Sequence, residues 1–177
     1  MWDTPFVVLG AAAFLAGMID AVVGGGGLVQ VPAMFAALPQ VAPATLLGTG
    51  KLAGIWGTGG AASTYARRDR IMWSTAAPAA FTAFVFAFIG AYTVTQIPPD
   101  AMRKLLPFIL VAVALYTWKK KDFGTIHAPL HSGNKEKLLA IGIGGLIGFY
   151  DGFFGPGTGS FLIFLFIRFF GFDFIGA

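Results

Sequence analysis

Two aspartates lie inside long apolar segments, where a carboxylate needs a reason to exist. One stands in Gly17-Met18-Ile19-Asp20-Ala21-Val22-Val23-Gly24, the other in Gly148-Phe149-Tyr150-Asp151-Gly152-Phe153-Phe154-Gly155. Both follow the pattern Gly-x-x-Asp-x-x-x-Gly and run into further glycine. Placing Asp at the centre of a membrane helix costs about 2.5–3.5 kcal/mol on insertion scales, so such a residue is rarely kept without a role. Two roles fit. The carboxylates of Asp20 and Asp151 can belong to a substrate or coupling site, or they can cap the free amides that follow a helix break. The residues alone leave both readings open.

The glycines supply the second half of the chemistry. Gly24, Gly25, Gly26 and Gly27 form one run, and Gly155-Pro156-Gly157-Thr158-Gly159 the other. Glycine is poor inside a helix and proline lacks an amide donor, so each run is expected to interrupt a helix. Half-helix N-termini point backbone amides at anions and lie near mid-membrane in many carriers. The amides after these runs are therefore candidate oxyanion donors. Lys51, in Leu47-Gly48-Thr49-Gly50-Lys51, is the candidate cation, either meeting the anion or pairing with Asp20; its bland alternative is snorkelling to the interface. The candidate substrate-binding residues are thus Asp20, Gly24, Gly25, Gly26, Gly27, Thr49, Lys51, Asp151, Gly155, Gly157, Thr158 and Gly159. For Gly54, Gly57, Gly59, Gly60 and the glycines from Gly142 to Gly148, close helix packing through small residues is the preferred reading.

Other chemistries are poorly served. His127 and His131 have the i, i+4 spacing of metal ligands, but Pro129 separates them and no third ligand is at hand; no metal site or cofactor is expected. Gly27 is followed by Leu28 and Val29 rather than Gly-Lys-Ser/Thr, so the glycine run is no Walker A loop. There are no cysteines and no nucleophile–base set, so an enzyme is the least favoured class.

Composition says which solvent must surround these residues. Of 177 residues, 56% are hydrophobic and 11% charged, and the mean hydropathy is +0.77. A soluble domain carries about a quarter charged residues, so a water-facing surface could not be built from this chain. The net charge of +4 is segregated into short clusters: Arg67-Arg68-Asp69-Arg70, Arg103-Lys104, Lys119-Lys120-Lys121 and Lys135-Glu136-Lys137. Clusters of that kind between apolar runs read as loops at a membrane surface and argue against nucleic acid.

The apolar segments fall at 5–38, 44–65, 71–97, 101–118 and 138–170, and roughly 20 apolar residues cross a bilayer as a helix. The expected fold is all-α: a polytopic membrane bundle with two glycine-broken helices, re-entrant or discontinuous, related by an internal repeat. Residues 1–118 form the first repeat, 119–137 a cytoplasmic loop, and 138–177 the start of a second, incomplete repeat. With 66–70 and 119–137 in the cytoplasm and 98–104 outside, the sides alternate across single spans. Hairpins at 5–38 and 138–170 then make the repeats inverted; a full crossing at 5–38 would make them parallel. Charge placement favours the hairpins.

Taken together, these stretches resemble the TauE/SafE sulfite exporter family. The resemblance rests on the Ala16–Gly27 run, Gln30-Val31-Pro32, Leu47-Gly48-Thr49-Gly50-Lys51-Leu52, and Tyr150-Asp151-Gly152-Phe153-Phe154-Gly155-Pro156-Gly157-Thr158-Gly159-Ser160-Phe161. It implies a multi-pass carrier of the cell membrane for a small sulfur oxyanion such as sulfite or a sulfonate. Two departures stand out. The family commonly has Asn before the lysine, where this chain has Gly50, and its members run past the point where this chain stops. An anion channel and a non-transporting membrane scaffold are the competing classes; a homo-oligomer is left open. Because the chain has no cysteine, single Cys probes test the topology directly. Probes at Gln40 and Pro99 are expected to label from outside, and those at Asp69 and Ser132 only after permeabilisation. External labelling at Ser132 would overturn the orientation, and a probe at Arg168 separates hairpin (cytoplasmic) from full crossing (external).

Overall fold

A computed structural model describes residues 3–23, 25–68, 72–119 and 133–170. These form seven α-helices and one π-helical turn, with no strand among them: α1 Asp3–Val23, α2 Gly27–Ala37, α3 Pro43–Arg68, α4 Trp73–Gln96, α5 Pro99–Lys119, α6 Asn134–Phe153 and α7 Thr158–Leu165, running on into a π turn, Phe166–Phe170. His127 and His131 lie outside the described residues, as do Gly24, Asp69 and Ser132. Among the described residues, α4 is by itself long and apolar enough to cross a membrane; Phe6–Ala21, Gly27–Ala37 and Thr158–Phe170 are shorter apolar helices.

The helices end and restart at the two glycine runs. α1 has 21 residues and α2 has 11; α6 has 20, and α7 with its π turn has 8 and 5. Each pair therefore has a long first arm and a short second one, because the glycines fall late in their segments. At ~1.5 Å per residue, α1 is about 31 Å long and α2 about 16 Å. The second arm folds back along the first in both pairs. α2 packs on α1. Phe170, at the end of the π turn, shares a core with Ala79, Ala140, Ile143 and Ile147, and Phe161, Leu162, Leu165 and Phe166 pack against it.

α4 and α6 form the tightest pairing. Cβ atoms built on Gly144, Gly148 and Gly152 would run into the backbone of Ala79, Ala83 and Ala87 respectively, and one on Gly90 into the backbone of Phe149 to Phe153. Small residues spaced four apart on both helices let the two backbones touch. Both sets of numbers rise together, so α4 and α6 run parallel, with their N-terminal ends side by side. Thr75, buried at the start of α4, hydrogen-bonds through its hydroxyl to the carboxylate of Glu136 at the start of α6 and ties those ends.

The expectation of glycine packing holds for Gly144, Gly145 and Gly148 but not for Gly142, Gly54, Gly57, Gly59 or Gly60, which have open space where a Cβ would go. The reason is local. After Lys51, α3 leaves its neighbours in this chain, and residues 52–67 are exposed on every side.

A second core closes the opposite end. Val31, Leu47, Val94, Met102, Leu106 and Phe154 bury together, drawing α2, α3, the end of α4 and the start of α5 onto the second break. Arg103 locks this end, donating to the Val41 carbonyl at 2.6 Å and lying over the Phe35 ring at 5.4 Å. The glycine contacts generate a clean comparison. Gly148→Ala is expected to destabilise the protein by about 1–3 kcal/mol, the usual range for overpacking, whereas Gly142→Ala should be neutral or slightly stabilising. Thermal unfolding in detergent reads both, and equal melting temperatures for the two variants would contradict the α4–α6 contact.

Candidate functional site

The two breaks meet. A Cβ on Gly27, the first residue of α2, would lie 3.1 Å from the Cα of Pro156, in the middle of the second break. The two glycine runs need glycine for different reasons. At the second, Gly155 and Gly157 have φ of +95° and +84°, a left-handed conformation that side chains disfavour. At the first, Gly26 is helical (φ −56°), and the need is space: a Cβ there would strike the Ala16 carbonyl and come within 2.8 Å of the Asp20 Cβ.

The two aspartates part ways. Asp20 accepts a hydrogen bond from the Gly26 amide at 3.0 Å and so bridges the end of α1 to the start of α2. Asp151 is bonded across the molecule. Its Oδ2 lies 3.1 Å from the Lys51 ammonium, an ion pair between residues 100 apart in sequence. Its Oδ1 lies 2.9 Å from the Thr158 hydroxyl, which is also 2.6 Å from the Gly155 carbonyl and has one proton to give between them. Lys51 thus pairs with Asp151 rather than with Asp20. The ammonium also lies close to Gly155, 2.9 Å from where a Cβ would be.

Three independent lengths place this cluster along the bundle. α2 puts Gly27 about 16 Å from the α2–α3 turn, and Lys51 lies about 12 Å along α3 from Pro43. Gly152, just before the second break, meets Ala87, about 13 Å short of the end of α4. The site therefore lies well inside the length of the helices, away from either end.

Not every expected donor is available. Gly26 gives its amide to Asp20, while Leu28 and Val29 bond back to the Gly25 and Gly26 carbonyls. At the second break, Thr158 and Phe161 bond back to Gly155 and Gly157, and the Gly159 amide makes no hydrogen bond among the described residues. Thr49 turns its hydroxyl onto the Thr45 carbonyl of its own helix at 2.8 Å, on an exposed face, and is not brought to the cluster. Gly24 is outside the described residues.

Tyr150 and Phe161 are contributors that sequence reasoning missed. The Tyr150 hydroxyl donates to the Pro156 carbonyl at 2.6 Å and pins the second break. Phe161 packs between the rings of Tyr150, at 5.3 Å, and Tyr116 of α5, at 4.9 Å. A hydroxyl one residue before Asp151 in an apolar run was the available signal.

Comparison with known proteins fits this picture. Residues 9–177 match the family model described as sulfite exporter TauE/SafE. The chain is 40% identical over 180 residues to the Probable membrane transporter protein ORF9 of Sinorhizobium sp, covering all of this chain and 67% of that protein. It is 34% identical over 170 residues to the Probable membrane transporter protein YfcA of Escherichia coli strain K12, covering 94% of this chain and 60% of that one. A Haemophilus influenzae protein named Probable membrane transporter protein is 31% identical, again over 94% of this chain and 64% of its own length. The chain thus spans about two thirds or less of these relatives. No solved structure matches it. With a family match over nearly its whole length and relatives named as membrane transporters, this chain is a membrane protein belonging to the TauE/SafE family, and not an enzyme.

Proposed function

We propose that the chain carries the substrate site of a multi-pass secondary transporter for a small sulfur oxyanion, sulfite or an organosulfonate, in the cell membrane. The observation that carries this reading is the convergence of the two breaks with Lys51 brought to them from α3. The Lys51 ammonium, part-exposed and held by Asp151, is the cationic group an incoming oxyanion would meet at the breaks. The ammonium and the Gly159 amide are the donors that would face it, with Gly25, Gly26, Gly27, Gly155 and Gly157 giving close backbone approach. Asp20 holds the first break. The family's description as sulfite exporters supports the substrate class.

The broken helices are read as re-entrant hairpins entering from opposite faces. Parallel α4 and α6 put residues 73 and 134 on one side, which agrees with the basic loops lying together in the cytoplasm. α6 then enters from the cytoplasm and α7 with its π turn returns there, while α1 and α2 do the same from outside. The matched long-then-short arms support an inverted repeat, with residues 1–118 as one half and 138–177 belonging to the other. A site about 12–16 Å from one end of the bundle suits the midplane of a hydrocarbon core of about 30 Å.

Proteoliposome flux assays with labelled sulfite, sulfate, sulfoacetate and taurine test the reading. At least one sulfur oxyanion should show saturable, competable flux. Lys51→Met should lower that flux by about tenfold or more, as the loss of a charged hydrogen bond of ~1.5–3 kcal/mol implies, with membrane insertion unchanged. Full flux in Lys51→Met would remove the site, and single-channel conductance in place of saturable flux would make the protein a channel.

A further inference from the structure

Lys51 already has an anion. Its ammonium lies 3.1 Å from Asp151, so an incoming oxyanion must compete for it with a carboxylate fixed in place by the Thr158 hydroxyl. Resting on the anion-carrier reading above, we infer that Asp151 is the binding site of a co-transported proton, and that the protein is a proton–anion symporter in which the Lys51–Asp151 ion pair exchanges for a Lys51–anion pair.

The exchange follows from charge balance. When an oxyanion takes the Lys51 ammonium, the Asp151 carboxylate loses its counter-charge and gains a like charge beside it. A like charge next to a carboxylate disfavours its ionised form, and a proton relieves that repulsion most cheaply. Lys51 cannot be the group that changes state, since a neutral amine would not hold the anion. The proton therefore enters an O–H bond on Asp151, the ion pair opens, and the ammonium and the anion pair instead. On release the steps reverse: the anion leaves, Asp151 gives up its proton, and the ion pair reforms. One proton moves with each anion.

The surroundings provide no competing partner. Lys51, from α3, is the charged side chain in contact with Asp151 among the described residues. Tyr150 on the same helix has its hydroxyl committed to the Pro156 carbonyl, and Tyr116 of α5 faces Phe161. α2, α4 and α7 carry no Asp, Glu, Lys or Arg, and Arg168 lies beyond α7 in the π turn. The other carboxylate near the breaks, Asp20 of α1, is turned to the Gly26 amide. Both members of the pair are reachable, with side chains 33% and 42% exposed. Thr158 can hold either form of Asp151: its hydroxyl can donate to the carboxylate, or donate to Gly155 and accept from the protonated acid.

The test uses the purified protein in proteoliposomes containing a pH-sensitive dye, near neutral pH, with labelled sulfate and sulfoacetate, which do not themselves titrate there. An imposed anion gradient should move luminal pH in step with the label, at about one proton per anion, and an imposed pH gradient should drive anion accumulation. Asp151→Asn should lower the ratio of protons to anions moved by about tenfold or more, because an amide holds no proton there. Asp151→Glu should retain coupling, and Asp100→Asn, a carboxylate removed from the far end of α5, should behave as wild type. Anion flux in the wild type without proton movement would overturn the inference and leave the carrier reading standing. A full pH signal in Asp151→Asn would also overturn it. Absence of flux for both anions in the wild type would remove the carrier reading and the inference together. Should Asp151→Asn fail to fold, the wild-type stoichiometry decides alone.

Discussion

The Lys51–Asp151 ion pair ties α3 to the second break across 100 residues. Leu47 of α3 packs in one core with Phe154, so the pair and that core act at the same place. Much of the local geometry then follows. Gly155 and Gly157 adopt left-handed backbone conformations, so the chain can turn back within the bundle, and Tyr150 and Thr158 tie that turn to the residues around Asp151. The first break is simpler: Asp20 caps Gly26, and α2 starts against Pro156.

The scaffold that holds these two breaks together is made largely of absent side chains. Glycine and alanine at four-residue spacing let α4 and α6 touch along their length, in parallel, which fixes the depth of the second break against Ala87 and Gly90. Lipid supplies no hydrophobic drive for helices to associate, so close backbone contact of this kind has to do that work. At the other end, Met102, Leu106 and Phe154 form a side-chain core of the ordinary type, with Arg103 clasping the α2–α3 turn. Backbone proximity therefore holds α4 against α6, while packed side chains form a core towards each end.

The break positions were legible in the sequence because glycine, proline and a lone carboxylate have few reasons to share an apolar segment. The unequal arms were not read, although the late placement of glycine within each segment implied them. Which aspartate met Lys51 could not be read, since Asp20 and Asp151 stand in the same local pattern and the choice depends on how α3 packs. The amides at the helix starts looked free in sequence, yet those of Gly26, Leu28, Val29, Thr158 and Phe161 are bonded within the breaks themselves. Thr49 looked like a ligand because of its neighbours, but a threonine inside a helix readily returns its hydroxyl to the carbonyl four residues back. Phe161 was lost among many phenylalanines, whereas Tyr150 was passed over although its hydroxyl stands next to Asp151 in an apolar run.

The central claim is that the two breaks, one from each half of the chain, lie against each other, and a disulfide reads that contact directly. The natural sequence has no cysteine, and a Cβ at Gly27 would lie 3.4 Å from that of Pro156, close to the separation of about 3.5–4.5 Å that a disulfide requires. A variant carrying Gly27→Cys and Pro156→Cys, oxidised mildly in native membranes, is predicted to form an intramolecular bond, seen by mass spectrometry as one linked peptide pair. Two thiols that remain open to alkylation in the folded, inserted protein, or that link only between copies, would contradict it.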